Sequence, residues 1–228
     1  MPASPGGTWP GWLPGSELRV VPATELDLAE LDQLCTVYEQ AFPPHLRVPL
    51  PELATPSARD QLLVALDDGN AVGFAAVRFL YSARWVFLRY YAIAADRRRT
   101  GLGRRFFAHL QQALGASGWP ARIAFEAEDP AEAADDPDEQ AVRQARISFW
   151  TSCGAGELAV PGYVMPALTD TGQPEPMVLM AVGGDGWDGP SADELMALVR
   201  AIFTEHYGLG PQHPLLAAAL GSIGYGRA

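Results

Sequence analysis

The amino-acid sequence predicts an α/β fold built around one strand and the helix that follows it. Residues 84–94 are mostly apolar on both faces, as expected for a central strand covered on both sides. Apolar residues then recur at helical spacing from Leu102 to Leu114. Between two earlier strand-like runs, Asp67-Asp-Gly-Asn70 is typical of a hairpin turn. Strands and helices therefore alternate along the chain.

The first predicted elements are a strand and a helix that follow a flexible tail. Residues 1–16 are rich in Pro and Gly, whereas residues 18–21 form a short apolar run. Thr24 with Asp27 resembles a capping box and marks the start of a helix. The apolar stripe of this helix consists of Leu28, Leu31, Leu34, Cys35, Tyr38 and Phe42.

A proline-rich stretch from residue 42 to about residue 56 ends that helix. Loops of this length often contribute to binding sites, so His45 and Arg47 are candidates for contacting a substrate. A simple connection with surface charges explains the same residues equally well.

The rest of the chain continues the alternation. An acidic connection at 129–139 separates a strand from a helix that begins near Gln140, and we expect that connection to be solvated and mobile. Ser191 with Glu194 marks a further helix start, and the Gly/Pro/Ala-rich remainder is expected to be a loose tail or an interaction arm. The remaining strands are predicted at 62–66, 71–80, 121–127, 161–166 and 177–182.

Composition limits the class of protein and its partners. The 228 residues carry a net charge of −11, which disfavours nucleic acid as a partner. No apolar run is long enough for a transmembrane helix, and the N-terminal residues lack the features of a secretory signal, so we expect a cytoplasmic location without membrane contact. Cys35 and Cys153 fall at apolar helical positions and are expected to be buried thiols. The four histidines show no ligand spacing, so no metal site is predicted.

The turn between the central strand and its helix is suited to binding an anion. Five of the sixteen basic residues lie between Arg97 and Arg105. Glycine at 101 and 103 lets a ligand approach the backbone, and the N-terminus of a helix attracts negative charge. A solvated helix start with paired arginines is the alternative, but it gives the glycines no purpose.

The motif at this turn identifies a family. A P-loop would need Lys and Ser/Thr after its glycine, and a dinucleotide fingerprint would need glycine where Phe106 stands. The pattern Arg98-x-x-Gly101-x-Gly103 instead resembles the acetyl-CoA signature of the GNAT superfamily of N-acetyltransferases. The segment 146–154 also resembles a GNAT segment in which Trp150 takes the place of a tyrosine.

The resemblance implies a mixed, mostly antiparallel central sheet flanked by helices, with one additional C-terminal helix. It divides the chain into a tail (1–16), a GNAT-like domain (17–184) and a helical extension with a tail (185–228). It implies that the central strand splays from the next one and that acetyl-CoA binds there as cosubstrate. The residues that would bind it are Ile93, Ala94, Arg98, Arg99, Thr100, Gly101, Leu102, Gly103 and Trp150.

Acyl transfer would proceed by direct attack of a primary amine, and the amine must first lose a proton. Glu126 and Glu128 share one face of an otherwise apolar strand, so they are the candidates for the base and for contacting a cationic acceptor. Like charges two residues apart would raise the pKa of one of them. The alternative is a pair of carboxylates leaving the strand for the acidic connection.

The tryptophan at position 150 departs from the family because an indole is no useful acid. Either Tyr163 or Tyr91 would then protonate the thiolate of CoA, or the thiolate leaves unaided. A domain that binds acyl-CoA without turnover, as a sensor or scaffold, is a second interpretation. A third, an RNA-binding protein, conflicts with the overall charge. The C-terminal extension could also form a homodimer contact.

Overall fold

The computed structural model describes residues 18–223 except 56, 169–171 and 185, so the tail predicted at 1–16 lies outside the described residues. Its strands are β1 (Arg19–Pro22), β2 (Asp60–Asp67), β3 (Asn70–Leu80), β4 (Trp85–Ile93), β5 (Ile123–Glu128), β6 (Gly156–Glu157), β7 (Val164–Met165) and β8 (Glu175–Val182). Its helices are α1 (Leu28–Ala41), α2 (Leu50–Ala54), α3 (Leu102–Ala116), α4 (Pro137–Ser152), α5 (Ala192–Ala201) and α6 (Pro214–Ile223).

The strands form an eight-stranded, mostly antiparallel sheet in the order β1-β2-β3-β4-β5-β8-β6, with β7 paired to β8. The pairing of β4 with β5 is parallel, whereas β1–β2, β2–β3, β5–β8, β6–β8 and β7–β8 are antiparallel. At the predicted hairpin turn, Asp68 and Gly69 have φ of 49° and 74°, the left-handed pair that a type I′ turn requires. The predicted mixed α/β class is confirmed.

The chain forms two compact units. The first unit contains the described residues up to Arg78 together with Leu88–Ala121. In its core, α1 packs on β2, β3 and β4, and the ring of Tyr38 lies 5.7 Å from that of Phe74 and 5.2 Å from that of Tyr90.

The second unit contains Phe79–Phe87 and the described residues from Arg122 onward. Its core joins the start of β4 and the strand β5 to α5 and α6. The residues of this core that are almost wholly buried include Trp85, Phe87, Ala124, Leu198, Phe203 and Leu216.

Helix α1 begins later than the sequence suggested. Asp27 is its N-cap, and its side chain accepts from the N–H of Glu30, whose carboxylate accepts from the N–H of Asp27. The capping box therefore lies at Asp27 and Glu30, and Thr24 belongs to a preceding 3₁₀ turn. As a result, Leu28 is 86% exposed rather than part of the buried stripe.

The later segments of the chain differ in part from the expectations. Most residues of the acidic connection are exposed, as expected for a solvated segment, and its ends carry side-chain caps, since Asp129 accepts from the N–H of Ala131 and Asp136 caps α4. No described residue of α4 is fully buried, and its apolar residue Val142 is 45% exposed. The stretch expected to be a loose tail contains α6, within which Leu216 is fully buried. Cys35 and Cys153 are free thiols but only half-buried.

Candidate active site

The turn after β4 is held in shape by its own side chains. The Nε–H of Arg98 donates to the carbonyl oxygen of Ile93 over 3.0 Å, and the hydroxyl of Thr100 donates to the carbonyl oxygen of Arg97 over 2.7 Å. Arg97 pairs with Asp67 at 2.8 Å. The predicted anion turn is therefore braced on the strand that precedes it.

The backbone of this turn adopts left-handed conformations at two positions. Gly101, the N-cap of α3, has φ of 82°, and Arg99 has φ of 62°. Glycine adopts this region without a steric penalty, whereas an L-residue such as Arg99 incurs strain. The N-cap Gly101 offers no side chain to the first turn of α3, and the hydroxyl of Thr100 accepts from the N–H of Leu102 over 3.4 Å. The positive end of the helix dipole favours a ligand carrying negative charge.

A tyrosine links the strand to the first turn of α3. The hydroxyl of Tyr91 donates to the carbonyl oxygen of Gly103 over 2.5 Å, and its ring stacks on Phe106 with centroids 5.5 Å apart. The predicted apolar face of α3 is buried, including Leu102, Phe106, Leu110 and Leu114. Because the proton of Tyr91 is committed to the backbone, Tyr91 braces the turn.

At the end of β4, the peptide groups of Ile93 and Ala94 point to opposite sides of the strand. The N–H of Ala94 donates to the carbonyl oxygen of Val72 on β3 over 3.0 Å. Since peptide groups alternate along a strand, the N–H and carbonyl of Ile93 point away from β3. The carbonyl oxygen of Ile93 accepts a hydrogen bond from the Nε–H of Arg98. Within the described ranges, β4 pairs with β5 only at Val86–Ile123 and Phe87–Ala124, so strand pairing ends well before Ile93.

In the second unit, Glu126 is bound by two tyrosines. The hydroxyl of Tyr163 donates to Oε1 over 2.6 Å, and the hydroxyl of Tyr207 donates to Oε2 over 2.5 Å. Burial raises the pKa of Glu126 to about 7, and the two hydrogen bonds oppose that rise. A carboxylate with this pKa can gain and release a proton near neutral pH.

Glu128 does not act as the charged partner of Glu126. Its carboxylate forms an ion pair with the guanidinium of Arg146 on α4. The pKa of Glu126 is raised, as expected, but the cause is burial rather than repulsion between the two carboxylates. The role of Glu128 is therefore structural: it forms an ion pair and does not act as a second base.

Tyr163 is poorly suited to be an acid. Its side chain is 1% exposed, and burial followed by the charge of Glu126 raises its pKa well above its ordinary value. Its proton lies in the hydrogen bond to Glu126. Tyr207, which the sequence analysis missed, lies 81 residues from Glu126 in the chain, and no motif marks it.

Trp150 lies in an aromatic cluster of the second unit. Its ring centroid is 4.3 Å from that of Phe125 and 4.8 Å from that of Phe149. The indole therefore packs against the side of β5 opposite to Glu126, since neighbouring residues of a strand face opposite ways.

The substrate-site candidates of the proline-rich stretch lie in the first unit. His45 is exposed on a short 3₁₀ turn. Nη1 of Arg47 lies 3.7 Å from Oε1 of Glu39, so the two side chains form an ion pair. The turn is fixed because the hydroxyl of Tyr90 donates to the carbonyl oxygen of Leu46 over 2.9 Å.

No group of His, Cys, Asp and Glu side chains in the described part of the chain could hold a metal ion. None of the described helices is both long enough and apolar enough to cross a membrane.

Comparison with known proteins points in the same direction as the turn. Residues 28–136 match the model of the acetyltransferase (GNAT) family. No curated protein matches the chain by sequence.

Solved structures share the fold. A protein from Bacteroides thetaiotaomicron assigned to the GNAT acetyltransferases is similar with a TM-score of 0.64 and 19% identity, over 86% of this chain and 100% of that one. The ribosomal-protein-S18-alanine N-acetyltransferase from Escherichia coli matches with a TM-score of 0.50 and 21% identity, over 75% and 99%. An aminoglycoside 6'-N-acetyltransferase complexed with coenzyme A matches with a TM-score of 0.52 and 16% identity, over 75% and 99%.

Proposed function

We propose that this chain, whose residues 28–136 match the model of the acetyltransferase (GNAT) family, is an acyltransferase of that family that transfers an acetyl group from acetyl-CoA to a primary amine. The acceptor would be a small molecule or an exposed protein amine. The observation that carries the proposal is the braced turn at Arg98–Gly103, with the start of α3, whose N-cap is the left-handed Gly101, at its end. In the first unit this turn would hold the pyrophosphate of CoA.

The backbone of the turn supplies the binding groups. Amide N–H groups at the start of a helix bind phosphate oxygens, and the left-handed Gly101 places no Cβ in their way. A guanidinium adds charge-assisted hydrogen bonds, and Arg98 and Arg99 both stand at the turn. The N–H of Ile93, which points away from β3, is suited to pairing with an amide carbonyl of pantetheine.

The proposal assigns the role of the base to Glu126. An alkylamine with a pKa of about 10.4 costs roughly 4 to 5 kcal/mol to deprotonate at pH 7, so a base close to neutral pKa helps the reaction. Glu126 has that pKa, about 7. Each carboxylate oxygen accepts one tyrosine hydroxyl and keeps a further lone pair for the proton of the amine or of a bridging water.

Acetyl-CoA supplies the acetyl group as a thioester, and the amine attacks its carbonyl directly. The thiolate of CoA would leave without a tyrosine acid, because Tyr91 and Tyr163 both donate their protons to protein atoms. A thiol pKa near 8.5 makes this departure tolerable at neutral pH.

The acceptor and the location are part of the proposal. A net charge of −11 favours a cationic amine over nucleic acid. Two free cysteines fit the reducing cytoplasm, where we place the enzyme. A homodimer remains an additional proposal.

Calorimetric titration with acetyl-CoA tests the cofactor half of the proposal. Arg98→Ala combined with Gly103→Val should weaken binding tenfold or more, on the order expected for losing charged contacts and close backbone approach. Arg143→Ala, which removes a basic residue paired with Glu139 on α4, is the matched control and should bind normally. Equal binding by all three proteins would contradict the assignment.

Thiol release with a panel of amines tests turnover. Saturable release that depends on one class of amine supports the enzyme. Tight acetyl-CoA binding without release for any amine would instead favour the silent acyl-CoA-binding module.

A further inference from the structure

The C-terminal segment contributes a side chain to the proposed base. Tyr207 follows α5, in the part of the chain that the family resemblance treats as an addition, and its hydroxyl donates to Oε2 of Glu126. We propose that residues 191–223 complete the base site, with Tyr207 as a positioning residue that, together with Tyr163, fixes the carboxylate of Glu126. This inference rests on the proposed function, in which Glu126 is the base.

Two hydrogen bonds from different segments fix a carboxylate better than one. Tyr163 binds Oε1 and Tyr207 binds Oε2, at 2.6 and 2.5 Å, so rotation of the carboxylate breaks both contacts. Hydrogen bonds to an ionised acceptor are stronger than neutral ones. The geometry therefore stabilises the ionised form of Glu126 in one orientation.

A π-helical turn places Tyr207. Residues Ile202–His206 form this turn, and the N–H of Tyr207 donates to the carbonyl oxygen of Ile202 over 3.1 Å. π-Helical turns are rare in proteins, and those that do occur often lie at functional sites. The ring centroid of Phe203 lies 5.8 Å from that of Tyr163 and 6.1 Å from that of Tyr207, so Phe203 packs against both tyrosines.

The turn is itself anchored within the second unit. The carboxylate of Glu205 accepts from the N–H of Tyr81 over 3.1 Å and from the N–H of Ser82 over 3.0 Å, and also from the Ser82 hydroxyl. Leu216 of α6 is fully buried in the core that contains Phe203. The segment is thus part of the folded unit that holds β5.

The other ionisable groups around Glu126 have different partners. On β5 itself, Glu128 pairs with Arg146 of α4. On the π-helical turn, Glu205 binds the Tyr81–Ser82 backbone, and the ring of His206 packs against that of Tyr207 with centroids 4.4 Å apart. The two phenols are the groups in hydrogen-bond contact with the carboxylate.

The test measures the ionisation of Glu126 directly. The carboxyl carbon of Glu126 is followed by ¹³C NMR during a pH titration without ligand, and Glu126→Gln assigns its signal. Tyr207→Phe removes one donor to the ionised form, so the midpoint should rise by about one pH unit. Tyr163→Phe should do the same through the other oxygen. Tyr38→Phe is the matched control, because its hydroxyl donates to the carbonyl of Val48 in the first unit, and it should leave the midpoint unchanged.

Kinetics then connect the contact to the reaction. The acidic limb of the kcat/KM profile should move to higher pH in Tyr207→Phe by the same amount, with activity recovering near pH 9. An unmoved NMR midpoint in folded Tyr207→Phe and Tyr163→Phe overturns the positioning role, and so does a moved midpoint with an unmoved acidic limb.

The two proposals fail in different ways. A moved midpoint in a protein that binds acetyl-CoA but acetylates no amine supports the contact and counts against the proposed function. If Tyr207→Phe does not fold, the Tyr163→Phe titration still decides whether phenol donors set the ionisation of Glu126.

Discussion

A Cβ atom built on Gly73 would lie 2.7 Å from Cδ1 of Ile93, the residue that ends β4 and precedes the anion turn. It would also lie 2.9 Å from the carbonyl oxygen of Ala92. The backbone oxygen cannot move away as a side chain can. The close approach of β3 to β4 at this point therefore requires glycine, and it fixes the strand end from which the turn departs.

Gly73→Ala should lower stability and weaken acetyl-CoA binding together. Forcing an extra carbon against backbone typically costs about 1 to 3 kcal/mol. The displaced Ile93 would also carry with it the carbonyl that anchors Arg98. Urea unfolding and calorimetric titration check the two effects. Gly115→Ala is the control, since a Cβ there has no neighbour within 4 Å and alanine favours the helix. An unaffected affinity in folded Gly73→Ala would contradict the coupling.

Gly101 and Gly118 offer a matched pair on either side of α3. Their φ angles are 82° and 78°, and neither Cβ would meet an atom within 4 Å. Alanine at either site should therefore cost a similar 1 to 2 kcal/mol, on the order of the left-handed penalty. Only Gly101→Ala should weaken acetyl-CoA binding severalfold, because only Gly101 lies at the proposed pyrophosphate site. Equal losses of affinity in the two variants would show that the effect comes from stability alone.

Glu126→Gln should remove part of the pH dependence of stability. The folded-state pKa of Glu126 is about 7, above the value of about 4.3 for an exposed glutamate. The folded protein thus binds this proton more tightly, so the contribution of Glu126 is most favourable below pH 4.3 and is lost as the pH rises to 7.

The stability of the variant relative to the native protein should therefore improve by on the order of 2 kcal/mol between pH 5 and pH 8. Urea unfolding at the two pH values measures the difference. Parallel stability curves would mean that Glu126 titrates normally. The same variant should lower turnover while it keeps the affinity for acetyl-CoA.

Trp150→Phe should act through packing. The smaller ring loses contact with Phe125, whose centroid lies 4.3 Å away, and should cost about 1 to 2 kcal/mol. The alkaline limb of the pH–rate profile should stay in place, because an indole donates no proton to the thiolate. A shifted alkaline limb, measured at saturating acetyl-CoA, would assign Trp150 a role in proton transfer that packing does not explain.

The local features of the candidate site could be predicted from the sequence. The strand, the glycine turn and the amphipathic α3 depend on neighbours in the chain, and periodicity with glycine placement encodes them. The alternation along β5 correctly put Glu126 on the face opposite Phe125. Each of these features depends on residues that lie close together in the sequence.

The long-range part could not be predicted. Tyr207 reaches Glu126 because a π-helical turn interrupts the period of 3.6 residues, and no sequence pattern marks such a turn. Arg146 neutralises Glu128 from another helix, which the spacing of the two glutamates on β5 does not reveal. Helix α6 has an Ala- and Leu-rich sequence without a clear apolar stripe, so its burial depends on the core that receives it.

The core of the second unit also has a consequence for synthesis. It combines Leu80, Trp85 and Phe87 with residues from Leu195 to Ala219. During translation, Trp85 and Phe87 leave the ribosome long before the helical part of this core, which begins at Leu195, has been synthesised. A nascent chain stalled at residue 190 would still present this apolar surface, which is the kind of surface that chaperones bind. The same helices that bring Tyr207 to Glu126 therefore end a long period of exposure for the growing polypeptide.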